Sequence, residues 1–222
     1  SPINLAGIST TTYPSLSMHG TLTTLVPGQT PSIQSWQVTA LSGSQPLANI
    51  SFAMRGNKTI GSDGGGLPIY KYNQTLTTNA GGTLSLSGME EDTYTITVYG
   101  VSTGYDISES CNPQPVPLPP GGSVSTHIIF AAHTVNSFLV DVRNNAGAMI
   151  GNASVRLYRA PYDTTQTSSG CGQTFFSGLS SGTIGGGNAY SIDVSASGYQ
   201  PYTSTSVEVS GASRLSVTLN SL

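Results

Sequence analysis

Four asparagines stand two residues ahead of a hydroxyl: Asn49-Ile50-Ser51, Asn57-Lys58-Thr59, Asn73-Gln74-Thr75 and Asn152-Ala153-Ser154. This is the acceptor pattern for N-linked glycans, so covalent sugar at Asn49, Asn57, Asn73 and Asn152 is the first chemistry the chain suggests. The same residues also suit turns, because a short amide side chain tolerates left-handed backbone. The chain has two cysteines, Cys111 and Cys171. In an oxidising compartment they suggest one disulfide. The preferred reading is a bridge within the chain; a bridge between chains and a pair of buried thiols are the alternatives.

Catalytic chemistry finds little to work with. Gly178-Leu179-Ser180-Ser181-Gly182 matches the spacing of a nucleophile elbow, but Thr183-Ile184-Gly185-Gly186-Gly187 follows it, and that elbow needs a helix there. Gly64-Gly65-Gly66 and Gly185-Gly186-Gly187 lack the lysine and helix of a phosphate loop. His19, His127 and His133 show no metal-ligand spacing. Glu90-Glu91-Asp92 is the one acidic cluster, a weak calcium candidate that reads better as a solvated turn. No catalytic residue, metal ligand or cofactor is therefore assigned, and the chain is expected not to be an enzyme. Tyr70, Tyr72, Tyr158, Tyr162, Tyr199 and Tyr202 could present a sugar-binding face, since a tyrosine ring covers apolar sugar surface while its hydroxyl hydrogen-bonds.

These groups sit in an unusual background. Only 8% of the 222 residues are charged, with a net charge of −3, against about 25% in ordinary domains. Such a chain offers no basic stripe for nucleic acid. No apolar run reaches the length of a membrane span. A surface of hydroxyls and glycine, with Ser at position 1, fits a mature secreted chain whose signal was removed, or a cut fragment.

The positioning elements read as strands. Trp36, Val38 and Ala40 alternate with Gln37 and Thr39; Tyr94, Ile96 and Val98 alternate with Thr95 and Thr97; Leu215, Val217 and Leu219 alternate with Ser216 and Thr218. Period-two alternation between glycine- and proline-rich breaks predicts half-buried antiparallel strands. The pattern also repeats. Trp36–Ala40 matches Phe138–Val142, and Leu47–Phe52 matches Ile150–Val155 with a sequon in each. Gly82–Met89 matches Gly172–Leu179, Tyr94–Val98 matches Tyr190–Val194, and Gly104-Tyr105 matches Gly198-Tyr199. A last strand closes each copy, from Ser123 to Phe130 and from Arg214 to Leu219.

This ordered set resembles the carboxypeptidase regulatory-like family, whose fold is a transthyretin-like, seven-stranded sandwich of the immunoglobulin-like kind. Ala153, Gly172, Phe176, Leu179, Tyr190 and Gly198-Tyr199 carry the likeness in the second copy. The first copy departs from it with Met89 where leucine is usual and Glu90-Glu91-Asp92 before its tyrosine strand. The resemblance implies a fold and a secreted, modular setting, and supplies no catalytic residue.

The expected fold is all-β: two tandem immunoglobulin-like or transthyretin-like sandwiches, residues 33–134 and 135–222, behind an extended N-terminal arm, residues 1–32. In the arm, Ile3 and Leu5 alternate, with Ile8 on the other face, and Leu16, Met18 and Leu22 share a face. These strands either pair with their own sandwich or cross to a neighbour. Crossing satisfies an open sheet edge and propagates head to tail. In architecture this is similar to donor-strand extracellular filament subunits. The expected function is a structural subunit of an extracellular, cell-surface filament: a glycosylated homopolymer with no nucleic-acid partner and no membrane span. The alternative is a secreted adhesin or carbohydrate-binding module, and a third reading is an accessory domain of a secreted enzyme.

Overall fold

Two copies of one strand frame, each with a parallel pair closing its first sheet, organise the chain. The computed structural model describes residues 35–42 and 45–222. Ile3, Leu5, Ile8, Leu16, Met18 and Leu22 lie outside the described residues, as does His19. The first copy contains β1 (Ser35–Ser42), β2 (Gln45–Pro46), β3 (Ser51–Gly56), β4 (Thr59–Ser62), β5 (Pro68–Tyr70), β6 (Asn73–Thr77), β7 (Thr83–Ser87) and β8 (Asp92–Thr97). A one-turn helix α1 (Gly100–Thr103) follows, then β9 (Tyr105–Cys111), β10 (Val116–Leu118) and β11 (Val124–Ala132). The second copy contains β12 (Ser137–Asn144), β13 (Ser154–Arg159), β14 (Tyr162–Thr167), β15 (Gln173–Phe176), β16 (Tyr190–Ser195), β17 (Tyr202–Val207) and β18 (Ala212–Leu219).

In the first copy one sheet runs β2-β1-β11-β9, with β7 also on β1, and faces a second sheet, β10-β8-β3-β6. In the second copy the sheets are β15-β12-β18 and β14-β13-β16-β17. First and last strands pair in parallel in both, Val38 opposite Thr126 and Val140 opposite Leu215. The fold is thus all-β, built as two sandwiches.

Alternation explains each strand. Phe52 and Met54 of β3 are buried while Ser51 and Arg55 are exposed. Tyr190, Ile192 and Val194 of β16 face inward in the same way. Phe52, Met54, Ile96 and Ile128 belong to one core, and Val140, Leu157, Phe176 and Ile192 to another. Each such burial contributes about 1.5–3 kcal/mol relative to exposure. β12 departs from the pattern: Leu139 and Asp141, on the face away from the core, are buried as well.

Two expectations shift. The strands expected at Leu47–Phe52 and Ile150–Val155 begin later, at Ser51 and Ser154. Asn49 and Asn152 adopt left-handed backbone, φ 58° and 60°, which ends the preceding segment as a turn. The second difference follows the matched Gly104 and Gly198. After Gly198 the chain enters β17 beside β16. After Gly104 it enters β9 in the opposite sheet, beside β11, and β10 takes the place beside β8. The first copy thus carries a strand, β9, that the second lacks.

Candidate functional site

The sequon asparagines are built into the frame. Asn49, Asn57, Asn73 and Asn152 are all exposed, as are the hydroxyl residues two positions on. Asn49 and Asn152 occupy equivalent turns, each held by a buried hydroxyl. Thr78 Oγ1 accepts from Ile50 N at 2.9 Å and donates to Leu47 O at 2.9 Å. Ser168 Oγ accepts from Ala153 N and donates to Ile150 O, both at 2.9 Å. Neither hydroxyl was visible as functional in the sequence, because Thr and Ser are so common there. Asn57 and Asn73 flank the hairpin β4–β5, a segment to which the sequence pattern assigns no strand. Its tip is Gly64-Gly65-Gly66, shaped by Asp63 Oδ1 accepting from Gly65 N and Leu67 N, both at 2.9 Å.

The acidic cluster braces that hairpin. Lys58 and Lys71 are the chain's two lysines. Lys71 Nζ lies 2.6 Å from Glu90 Oε2, and Lys58 Nζ lies 3.3 Å from Glu90 Oε1 and 3.5 Å from Glu91 Oε1. Hydrogen bonds from Lys71 and then Lys58 hold the Glu90 carboxyl below its ordinary range. Asp92 Oδ2 accepts from Lys58 N at 2.9 Å. The expected solvated acidic turn is therefore an ion-paired one.

Cys111 and Cys171 are bonded to each other within the chain, with Cα atoms 5.6 Å apart. The bond joins the end of β9 to the turn between β14 and β15, and so ties the two sandwiches. Around it lies a polar joint. Gln173, 2% exposed, accepts from Ser110 N of β9 at 2.6 Å and donates to Asp141 Oδ1. Asp141, fully buried, accepts from Arg214 Nε at 2.7 Å and from Ser216 Oγ at 3.1 Å. A buried carboxylate is stable only when paired and hydrogen-bonded in this way. The linker is clamped from both sides. Asp106 of β9, also buried, meets His133 Nδ1 at 2.8 Å and accepts from Thr134 N at 3.2 Å. Thr134 Oγ1 accepts from Gly178 N, and Asn136 Nδ2 donates to Leu179 O. A cleft of about 230 Å³ lies at this joint, with Asp106, Gln114, Ser137 and Arg214 on its walls. His127, by contrast, is an exposed residue of β11.

The tyrosines mostly serve packing. Tyr94 and Tyr190 are 1% exposed and donate to backbone oxygens of Glu90 and Ser180, at 2.7 and 3.0 Å. Burial, with Asp92 nearby, pushes the Tyr94 phenol up to about 12. Tyr72 and Tyr162 meet these rings edge to face, at 5.6 and 5.9 Å between centroids. Arg55 lies over Tyr70 and Arg156 over Tyr158. Tyr199 and Tyr202 pack against the second core. All six candidates for sugar stacking are half-buried. Gly178–Gly182 is a loop that supplies carbonyls, Ser180 O to Tyr190 and Ser181 O to Arg159, with no helix after it.

No protein-family model matches the chain. No curated protein matches it either. Several solved structures are similar. A streptococcal ancillary pilin is 13% identical with a TM-score of 0.33, over 85% of this chain and 62% of the pilin; the chain thus spans less than two thirds of that protein. The shaft pilin SpaA of Lactobacillus rhamnosus GG is 12% identical with a TM-score of 0.30, over 85% of this chain and 98% of the pilin. A putative carbohydrate binding protein from Bacteroides uniformis is 10% identical with a TM-score of 0.32, over 39% of this chain and 41% of the other. Among the described residues no helix is long and apolar enough to cross a membrane.

Proposed function

We propose that the chain is a structural subunit of an extracellular, cell-surface filament, made of an arm (1–32) and two sandwich domains (33–134 and 135–222). Subunits join head to tail when the arm of one supplies a strand to the next. The joint carries this reading. A disulfide, a Ser110–Gln173–Asp141–Arg214 hydrogen-bonded chain and the Asp106 clamp fix the angle between the sandwiches. A fixed angle within the subunit is what an open heterologous polymer needs, because every joint must repeat the same rotation. In this reading Asn49, Asn57, Asn73 and Asn152 carry N-linked glycans, which keep a surface poor in charge hydrated. In this reading both sandwiches are carboxypeptidase regulatory-like, the first with β9 added. The protein has no catalytic role, metal or cofactor on this reading.

The test is electron microscopy of the full chain beside chains lacking residues 1–12 and 1–26. The expected result is filaments from the full chain and none from the longer deletion. Filaments from the longer deletion would remove the arm from the mechanism. Monodisperse full-length protein would leave the adhesin reading in its place.

A further inference from the structure

The two copies differ at the sheet edge beside their last strands. In the first, β11 has β1 on one side and β9 on the other. In the second, β18 has β12 on one side, and among the described residues no strand lies on the other. The matched registers show what this does to the core. Thr126 sits opposite Val38, and Leu215 opposite Val140, so they hold equivalent positions. Thr126 is fully buried and donates to Cys111 O of β9 at 2.8 Å. Leu215, a larger and more apolar side chain, is only partly buried. Beside it a groove of about 300 Å³ opens between β17 and β18, walled by Phe138, Tyr202, Val207 and Leu215, with Glu208 and Arg214 at its polar rim and Ile184 55% exposed. A bridge between Tyr199 and Ser221 lies beyond the C-terminal end of β18.

We infer that this groove is the acceptor site, and that its occupant is the segment Leu16–Leu22 of a second copy. The assignment rests on the strand-joining reading above. An edge strand offers backbone groups to an added strand, and the exposed apolar positions beside it take alternate side chains. As an extended strand Leu16, Met18 and Leu22 would share one face, with Gly20 between them, matching the period of Ser213, Leu215, Val217 and Leu219. The seven residues span about 20 Å when extended, close to the length of β18. Pro14 and Pro27 bound the segment without entering it, and residues 1–34 contain no Asp, Glu, Lys or Arg to desolvate. The Ile3–Ile8 segment places only two apolar residues on one face.

The test uses full-length chains. Leu215→Arg blocks the groove and leaves the arm intact; Met18→Asp blocks the arm and leaves the groove intact. Ile184→Glu repeats the groove test at an exposed position, and circular dichroism establishes that each variant is folded. The expected result is polymer from the unaltered chain, monomers from each variant, and discrete dimers when Leu215→Arg and Met18→Asp are mixed. Polymer from both groove variants, with none from Met18→Asp, would overturn the groove and leave strand joining intact. Polymer from Met18→Asp would overturn the donated segment. A mixture that stays monomeric would mean each chain fills its own groove. An unaltered chain that never polymerises would remove the reading on which the inference stands.

Discussion

Replacing both cysteines, Cys111→Ser with Cys171→Ser, should lower stability by an amount that can be worked out. The bridge closes a sequence separation of 60 residues. Loop-closure entropy for that length is about 14 cal/mol/K, or about 4 kcal/mol at 25 °C, acting on the unfolded chain. The closed loop contains β10, β11, the linker, β12, β13 and β14, so the constraint spans the joint itself. For a chain of this size 1 kcal/mol moves Tm by about 2–4 °C, which gives a fall of about 8–16 °C. The folded joint should survive, because Gln173 still accepts from Ser110 N and Asp106 still holds Thr134 N. The two sandwiches should however unfold less cooperatively, since each has its own core. Scanning calorimetry of the variant, with the unaltered chain in reductant alongside, measures both effects. The expected record is a lower first transition and a broadened or split profile. A Tm within a degree of the unaltered chain, with one sharp transition, would refute the claim that the bridge couples the sandwiches. Unaltered protein should also run as a monomer on a non-reducing gel, as a bond within one chain requires.

At the equivalent turns, Asn49→Gly and Asn152→Gly remove a sequon while keeping the left-handed backbone, whereas Asn→Ala adds a steric cost of about 1–2 kcal/mol. On the proposed glycosylation, mass spectrometry of protein from its own host should show one glycan fewer per variant in both series, and urea denaturation should separate them, glycine near neutral and alanine destabilised. Above pH 10 the first sandwich should weaken. The Tyr94 phenol is pushed up to about 12 in the fold by burial, so the unfolded chain releases this proton first, and stability falls as pH rises from about 10 to 12. Urea midpoints across that range should be flatter for Tyr94→Phe; an equal slope in both would place the effect elsewhere.

The strands legible in the sequence were those with one buried face. Tyr94 and Ile96, and Val217 and Leu219, are core residues spaced by two, so burial writes itself into the order of residue types. β9 was illegible for the opposite reason. Its buried residues are Asp106 and Ser110, polar groups satisfied by the linker and by Gln173. A strand whose burial is met through hydrogen bonds carries no apolar alternation. β10 follows Pro115 and contains Pro117, so its three residues read as a loop, although Val116 and Leu118 are core. The joint was hidden by distance along the chain. Gln173 and Arg214 lie 32 and 73 residues from Asp141, and no local pattern links them. The cysteines were visible by type, and their position across the joint came only with the fold.

The internal repeat makes the departure at β9 informative. Here one copy uses its extra strand at the joint, where Ser110 and Cys111 reach the other sandwich. The other copy ends its three-stranded sheet at β18, with Leu215 half covered. The chain thereby has one sandwich completed from within and one with an unpaired edge among its described residues. On the proposed reading, a donated arm strand and the β18 edge are unlike surfaces. The proposed union in successive copies would extend without closing unless the rotation formed a ring. Thr126 and Leu215 show the difference in residues: the position that β9 covers is a hydroxyl bonded to Cys111 O, while the equivalent position, with no such strand beside it among the described residues, holds a half-buried apolar side chain.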